Sequence, residues 1–146
     1  MRKTTLLLIL TIVVMACNTS TENEENEVLE LPFYEYSLEG FFLRYENFDM
    51  NKVVIINSNN ELEKYFIEPN YLDIDFSKYT LMLARGAASN GIEKKKVNSL
   101  QQLSANKYKL NVEITLNDAT VAEGWRIALI MSKFSEKIEI ELNVMH

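Results

Sequence analysis

The sequence predicts a mainly β domain, α+β in class terms: an antiparallel sandwich or open barrel of about seven strands with one short helix. Three observations predict it. Lys107–Leu116, Trp125–Met131 and Ile138–Val144 each alternate apolar and polar residues with period two. That period suits antiparallel strands with one wet face. A single short segment carries a helical stripe. No internal repeat interrupts the pattern, and about 115 residues are enough for a proper core.

The globular part is expected over residues 31–146. It opens with an aromatic-rich stretch containing Phe33, Tyr34, Tyr36, Phe41, Phe42, Tyr45 and Phe48. Aromatics suit a pleated, half-buried surface, so Phe41, Leu43 and Tyr45 are expected on one face of a strand. Lys52–Asn57 follows as a short strand. Val53, Val54, Ile55 and Ile56 are apolar on both faces, which suggests a central position.

Ser58–Phe66 is the helix. Ser58 or Asn59 can cap it, and Glu61 and Glu63 sit in the first turn, where the helix dipole favours negative charge. Leu62, Tyr65 and Phe66 fall at i, i+3 and i+4, and Pro69 ends the segment. Tyr79–Arg85 is a strand and Gly86–Gly91 a loop. Ile92–Leu103 is a strand of weak alternation, with Lys94, Lys95 and Lys96 exposed. In Lys107–Leu116, Tyr108, Leu110, Val112, Ile114 and Leu116 face inward.

The N-terminus supplies an address. Arg2 and Lys3 precede an apolar run from Leu6 to Met15, the pattern of a secretory signal over residues 1–16. That run is shorter than the roughly 20 residues of a membrane-spanning helix. Val14-Met15-Ala16-Cys17 is similar to a bacterial lipobox. The resemblance implies that the Cys17 thiol receives lipid, anchoring the protein on a membrane at roughly 0.8 kcal/mol per buried methylene. A lone cysteine in an exported chain has no internal disulfide partner. Residues 17–30 contain five Glu and few apolar groups, and are expected to be a flexible acidic tether. Its likeness to the tract of Bacteroidetes-type lipoproteins implies display on the outer face of the outer membrane; a periplasm-facing linker is the alternative.

Asp75–Gly86, DFSKYTLMLARG, carries a second resemblance, together with Leu100–Leu116 and Thr120–Trp125. These stretches are similar to a group of uncharacterised Bacteroidales lipoproteins and, more distantly, to the C-terminal domain of the PrcB-like protease-complex-subunit family. The likeness spans roughly residues 52–145. It implies a small β domain that binds a protein partner without catalysis, and it carries over no catalytic residues. Where PrcB-like proteins have a Thr-Gly-Gly-aromatic loop, this chain has Ser89-Asn90-Gly91-Ile92.

Residue types narrow the chemistry further. The only His is the terminal His146 and the only Cys is Cys17, which removes the common nucleophile–base pairs and Cys/His metal sites. No cofactor is implied. Without Arg2 and Lys3, 13 basic side chains face 21 acidic ones, so nucleic acid is not the expected partner. Asp73 with Asp75 is a weak calcium motif. Asp73, Asp75, Glu93, Asp118 and Glu123 are the carboxylates that a small hydrolase would need. Lys94–Lys96 suits edge protection.

Loops on a rigid sheet are the usual contact surfaces. Two are singled out: Gly86–Gly91, with Ser89, Asn90 and Gly91, and Asn117–Gly124, with Asp118 and Glu123. Trp125 lies beside the second, either as core or as a sugar-stacking ring. The alternative to a protein partner is therefore carbohydrate, bound through exposed aromatics of the Phe33–Phe48 stretch.

Overall fold

The computed structural model describes residues 28–68, 73–134 and 137–146. The expected signal segment, Cys17, the tract up to Glu27 and Pro69 lie outside the described residues.

Two four-stranded sheets form a sandwich, and no barrel closes among the described residues. The first sheet has the order β1 (Leu29–Glu30), β5 (Ile92–Ser104), β6 (Lys107–Leu116), β8 (Glu139–Met145). The second has the order β2 (Tyr34–Glu35), β7 (Glu123–Ser132), β4 (Tyr79–Ala88), β3 (Val53–Ile56). The described strands number eight, one more than expected, because β1 and β2 are two-residue edges too short to leave a periodic signal. β1 also moves the start of the domain. Leu29 and Glu30, assigned by composition to the tether, pair with Gln102 and Gln101.

Between the sheets lies one core, with Met82, Leu100, Leu110, Val112, Ile114, Trp125 and Leu129. A second core covers the other face of the second sheet. There Ile56, Leu81, Leu83 and Ala128 of the sheet meet Phe48 from the aromatic stretch, Leu62 from the helix α1 (Asn59–Tyr65) and Phe66 just after it. The molecule is therefore layered sheet, sheet, then helix with coil.

That third layer replaces the strand expected at Phe41–Tyr45. Only Leu43 makes a β-bridge, to Phe66, and Tyr45–Asn47 is a 3-10 turn. The aromatics fill a lid over the sheet: Phe41 meets Phe66 edge-on with centroids 6.2 Å apart. β3 is likewise an edge strand, not a central one. It is apolar on both faces because Val53 and Ile55 enter one core while Val54 and Ile56 enter the other.

α1 starts as its sequence dictates. The Ser58 hydroxyl accepts from the Glu61 N–H at 3.3 Å, and the Glu61 carboxylate accepts from the Asn57 N–H at 2.7 Å. Reciprocal bonds of this kind satisfy donors that a helix start leaves free. The helix stops at Tyr65, and Phe66 is already extended.

β8 corrects another expectation, since it runs parallel to β6, with Leu110 opposite Leu142. β7 lies in the other sheet, so the chain crosses the sandwich between β6 and β8. β5 explains its weak alternation. Register shifts between Ile92 and Lys94, Val97 and Ser99, and Gln102 and Ser104 each insert a residue. Each bulge reverses the parity of the residues that follow, so Val97 and Leu100, three apart, both point into the core.

Candidate functional site

The two loops singled out from the sequence do meet, at one end of the sandwich. The Gly91 N–H donates to the Ala119 carbonyl at 3.0 Å, and the Asn117 N–H donates to the Gly91 carbonyl at 2.9 Å. The Ile92 N–H donates to the Glu123 carboxylate at 2.8 Å. A Cβ on Gly91 would overlap Asn117 and Ala119. Gly91 and Glu123 thus hold the junction together, while Ser89 and Asp118 are exposed on it and Asn90 is half-buried. The loops are shorter than expected: Gly86–Ala88 belong to β4, and Glu123 and Gly124 to β7. Trp125 is 5% exposed and packs in the inter-sheet core. That placement favours the core role over stacking on sugar.

Asp75 is not poised for a cation. Its carboxylate accepts from the Ser77 N–H at 3.0 Å and from the Ser77 hydroxyl, and it pairs with Lys78 at 2.9 Å. The Ser77 hydroxyl, Lys78 and the Ser77 N–H together lower its pKa to about 2. The DFSK stretch is a turn that launches β4, with the Lys78 and Tyr79 N–H groups both donating to the Asp75 carbonyl.

The more distinctive geometry lies further along β4. Arg85 on β4 and Arg126 on β7 are direct cross-strand partners. Like charges placed so are unfavourable. Tyr45 organises both. Its carbonyl accepts from Arg85 Nη2 at 3.0 Å, its ring lies 4.9 Å from the Arg85 guanidinium carbon, and its hydroxyl accepts from Arg126 Nη1 at 3.1 Å. Arg126 Nη2 donates to the Leu38 carbonyl at 3.1 Å. Among the described residues, no carboxylate lies within 4.0 Å of either guanidinium. Asp49 is held below the ordinary carboxylate range chiefly by Lys52, with Arg85 the smallest contributor.

Two grooves flank this pair. One, of about 350 Å³, is walled by Tyr45, Met50, Arg85, Trp125 and Arg126, with Gly86 and Gly124 beside them. The glycine at 86 is required, because a Cβ there would collide with the Trp125 ring and come within 2.8 Å of Asn51. The other groove, of about 450 Å³, lies between Glu35–Glu39, Lys95 and Arg126. It follows an open stretch of sheet edge: β2 pairs with β7 only at Leu129 and Ile130, with one further bond from the Tyr36 N–H to the Ala128 carbonyl. From Glu123 to Ile127 no strand covers that side among the described residues.

Lys95 partly blocks this edge. Its ammonium donates to the Arg126 carbonyl. Desolvation lowers its pKa, Glu35 works against that shift, and Arg126 adds to it. Lys95 is therefore not a merely solvated member of the lysine run. All three lysines are exposed, on a part of β5 that β1 does not reach.

Sequence reasoning missed Arg85 and Arg126. The available signal was their parity: each is a single arginine at an outward position in an otherwise apolar strand. Of the aromatic candidates, Tyr34 and Phe42 are 75% and 68% exposed and Tyr45 is 48% exposed. The ring pairs of this region are Tyr36–Phe41, Phe41–Phe66 and Phe48–Tyr65, so the exposed rings form no shared flat platform. Comparison with protein-family models, curated proteins and solved structures returned no match.

Proposed function

We propose that this is a lipid-anchored cell-envelope domain, without catalysis, that captures an extended segment of a protein partner. The observation that supports it is the open edge of β7 from Glu123 to Ile127 beside the groove of Lys95 and Glu35–Glu39. An added strand would gain main-chain hydrogen bonds along that edge, with its side chains read by the groove. The Lys95 ammonium on the Arg126 carbonyl is a gate that a partner displaces. Anchoring through Cys17 at the outer membrane follows from the lipobox-like Val14–Cys17, and the resemblance to PrcB-like subunits points to a protein as the partner.

The test combines anchor and edge. Palmitate labelling is expected on the unaltered chain and absent from Cys17→Ala; label retained by the variant would refute the anchor. A photo-crosslinker placed at Glu39 in envelope preparations is expected to capture one discrete protein, and a crosslinker at Lys109, on the far sheet, is not. The same product from both positions, or none from Glu39, would remove the edge-binding reading. Carbohydrate binding draws on exposed Tyr34 and Phe42. Retention of the chain on neutral glycans, lost in Tyr34→Ala, would favour it instead.

A further inference from the structure

The groove of Arg85 adjoins the β7 edge through Arg126 but has a lining of its own, and it calls for its own account. Two arginines face each other across the ladder in a protein of net charge −6. No carboxylate among the described residues reaches either one. The groups that accept from or stack on them are neutral: two backbone carbonyls, a phenol and aromatic rings. These contacts fix the guanidinium planes without neutralising them. Arg85 Nε is buried and has no hydrogen-bond partner. The wall beside the pair is apolar and aromatic; the Trp125 ring packs on Gly86, and exposed Gly124 leaves the strand backbone bare.

We propose that Arg85 and Arg126 form a binding site for an oxyanion group, carboxylate or phosphate, carried on a small ligand whose apolar or ring face rests against Tyr45 and Met50. Arginine suits this task because its planar fork pairs with both oxygens of such a group at once. The fork is held in place before the ligand arrives, so little side-chain freedom is lost on binding. An entering anion also relieves the repulsion between the two cations. Arg126 lines both grooves, but Arg85 lines this one alone, so changes at Arg85 test the site separately from the partner reading.

The full-length chain is titrated with inorganic phosphate, with galacturonate and with uncharged galactose, followed by backbone amide chemical shifts. Saturable movement of the Gly86 and Gly124 amides is expected with an anion and not with galactose. Whether phosphate or galacturonate binds more tightly separates the two oxyanion sources. Arg85→Gln is expected to weaken binding about tenfold or more, and Arg85→Lys, which keeps charge but loses the fork, is expected to weaken it too. Lys94→Gln, a control for general charge, leaves binding unchanged. The proposal is overturned if neither anion gives a saturable shift at Gly86 and Gly124, if Arg85→Gln titrates like the unaltered chain, or if Lys94→Gln weakens binding equally. Should Arg85→Gln fail to fold, the shift map of the unaltered chain decides alone.

Discussion

The first sheet keeps one face in water, whereas the second is covered on both, and the difference decides where a ligand can reach the strands. On the first sheet's outer face, Asn111 donates to the Ser99 hydroxyl at 2.9 Å and accepts from Asn143 at 2.8 Å, a polar ladder that satisfies its own groups. On the second sheet, the equivalent face is sealed by Phe48, Leu62 and Phe66. The seal stops at Arg85 and Arg126. The exposed sheet is thus self-satisfied, and the covered sheet has a gap holding two arginines that no carboxylate of the described residues pairs with.

The comparison breaks most readily at the covering layer. Phe66 is 1% exposed, and Phe66→Ala is expected to cost about 3–5 kcal/mol in chemical denaturation. A loss below about 1 kcal/mol, the usual range for a surface site, would mean that helix and coil only decorate the sheet. Next in size is the edge of the gap. Gly86→Ala places a methyl against the Trp125 ring and should cost about 1–3 kcal/mol through overpacking; unchanged stability would show that the ring moves freely. The smallest effect lies at the turn that starts β4. Asp75 titrates near 2 in the folded protein and near 3.8 unfolded. Its stabilisation is complete above the unfolded value and is lost as pH falls from there towards 2. The stability gap between the unaltered chain and Asp75→Asn should therefore shrink over that window. A gap independent of pH would show that the carboxylate's charge contributes nothing there.

The same contrast explains which parts were legible in the sequence. β6 alternates because its inner face is core and its outer face is wet, whereas β7 keeps an apolar inner row at Trp125, Ile127, Leu129 and Met131 while Ala128 and Ile130 on its other face enter the second core. The helix announced itself through Ser58, Glu61 and Leu62, all of which act locally. β5 was blurred by inserted residues, each of which flips the pattern in a way that no single window reveals. Phe41–Tyr45 misled because burial by coil and burial by strand draw on the same residues. The parallel partner of β8 depends on a crossover, and alternation is blind to strand direction. The arginine site was hidden for a related reason: Arg85 and Arg126 are far apart in sequence, and only their shared register makes them a pair.

The place where β1 joins the first sheet also fixes where the preceding chain enters the domain. Leu29 pairs with Gln102, near the β5–β6 hairpin, while the junction of Ser89 and Asp118 lies at the opposite end of β5, about 30 Å away at strand spacing. If lipid on Cys17 holds the chain, as proposed above, no more than about 40 Å of polypeptide separates the bilayer from Val28. The tether then enters the domain at the hairpin end. Arg85 and Arg126 sit towards the opposite end, across the domain from the point where the tether enters.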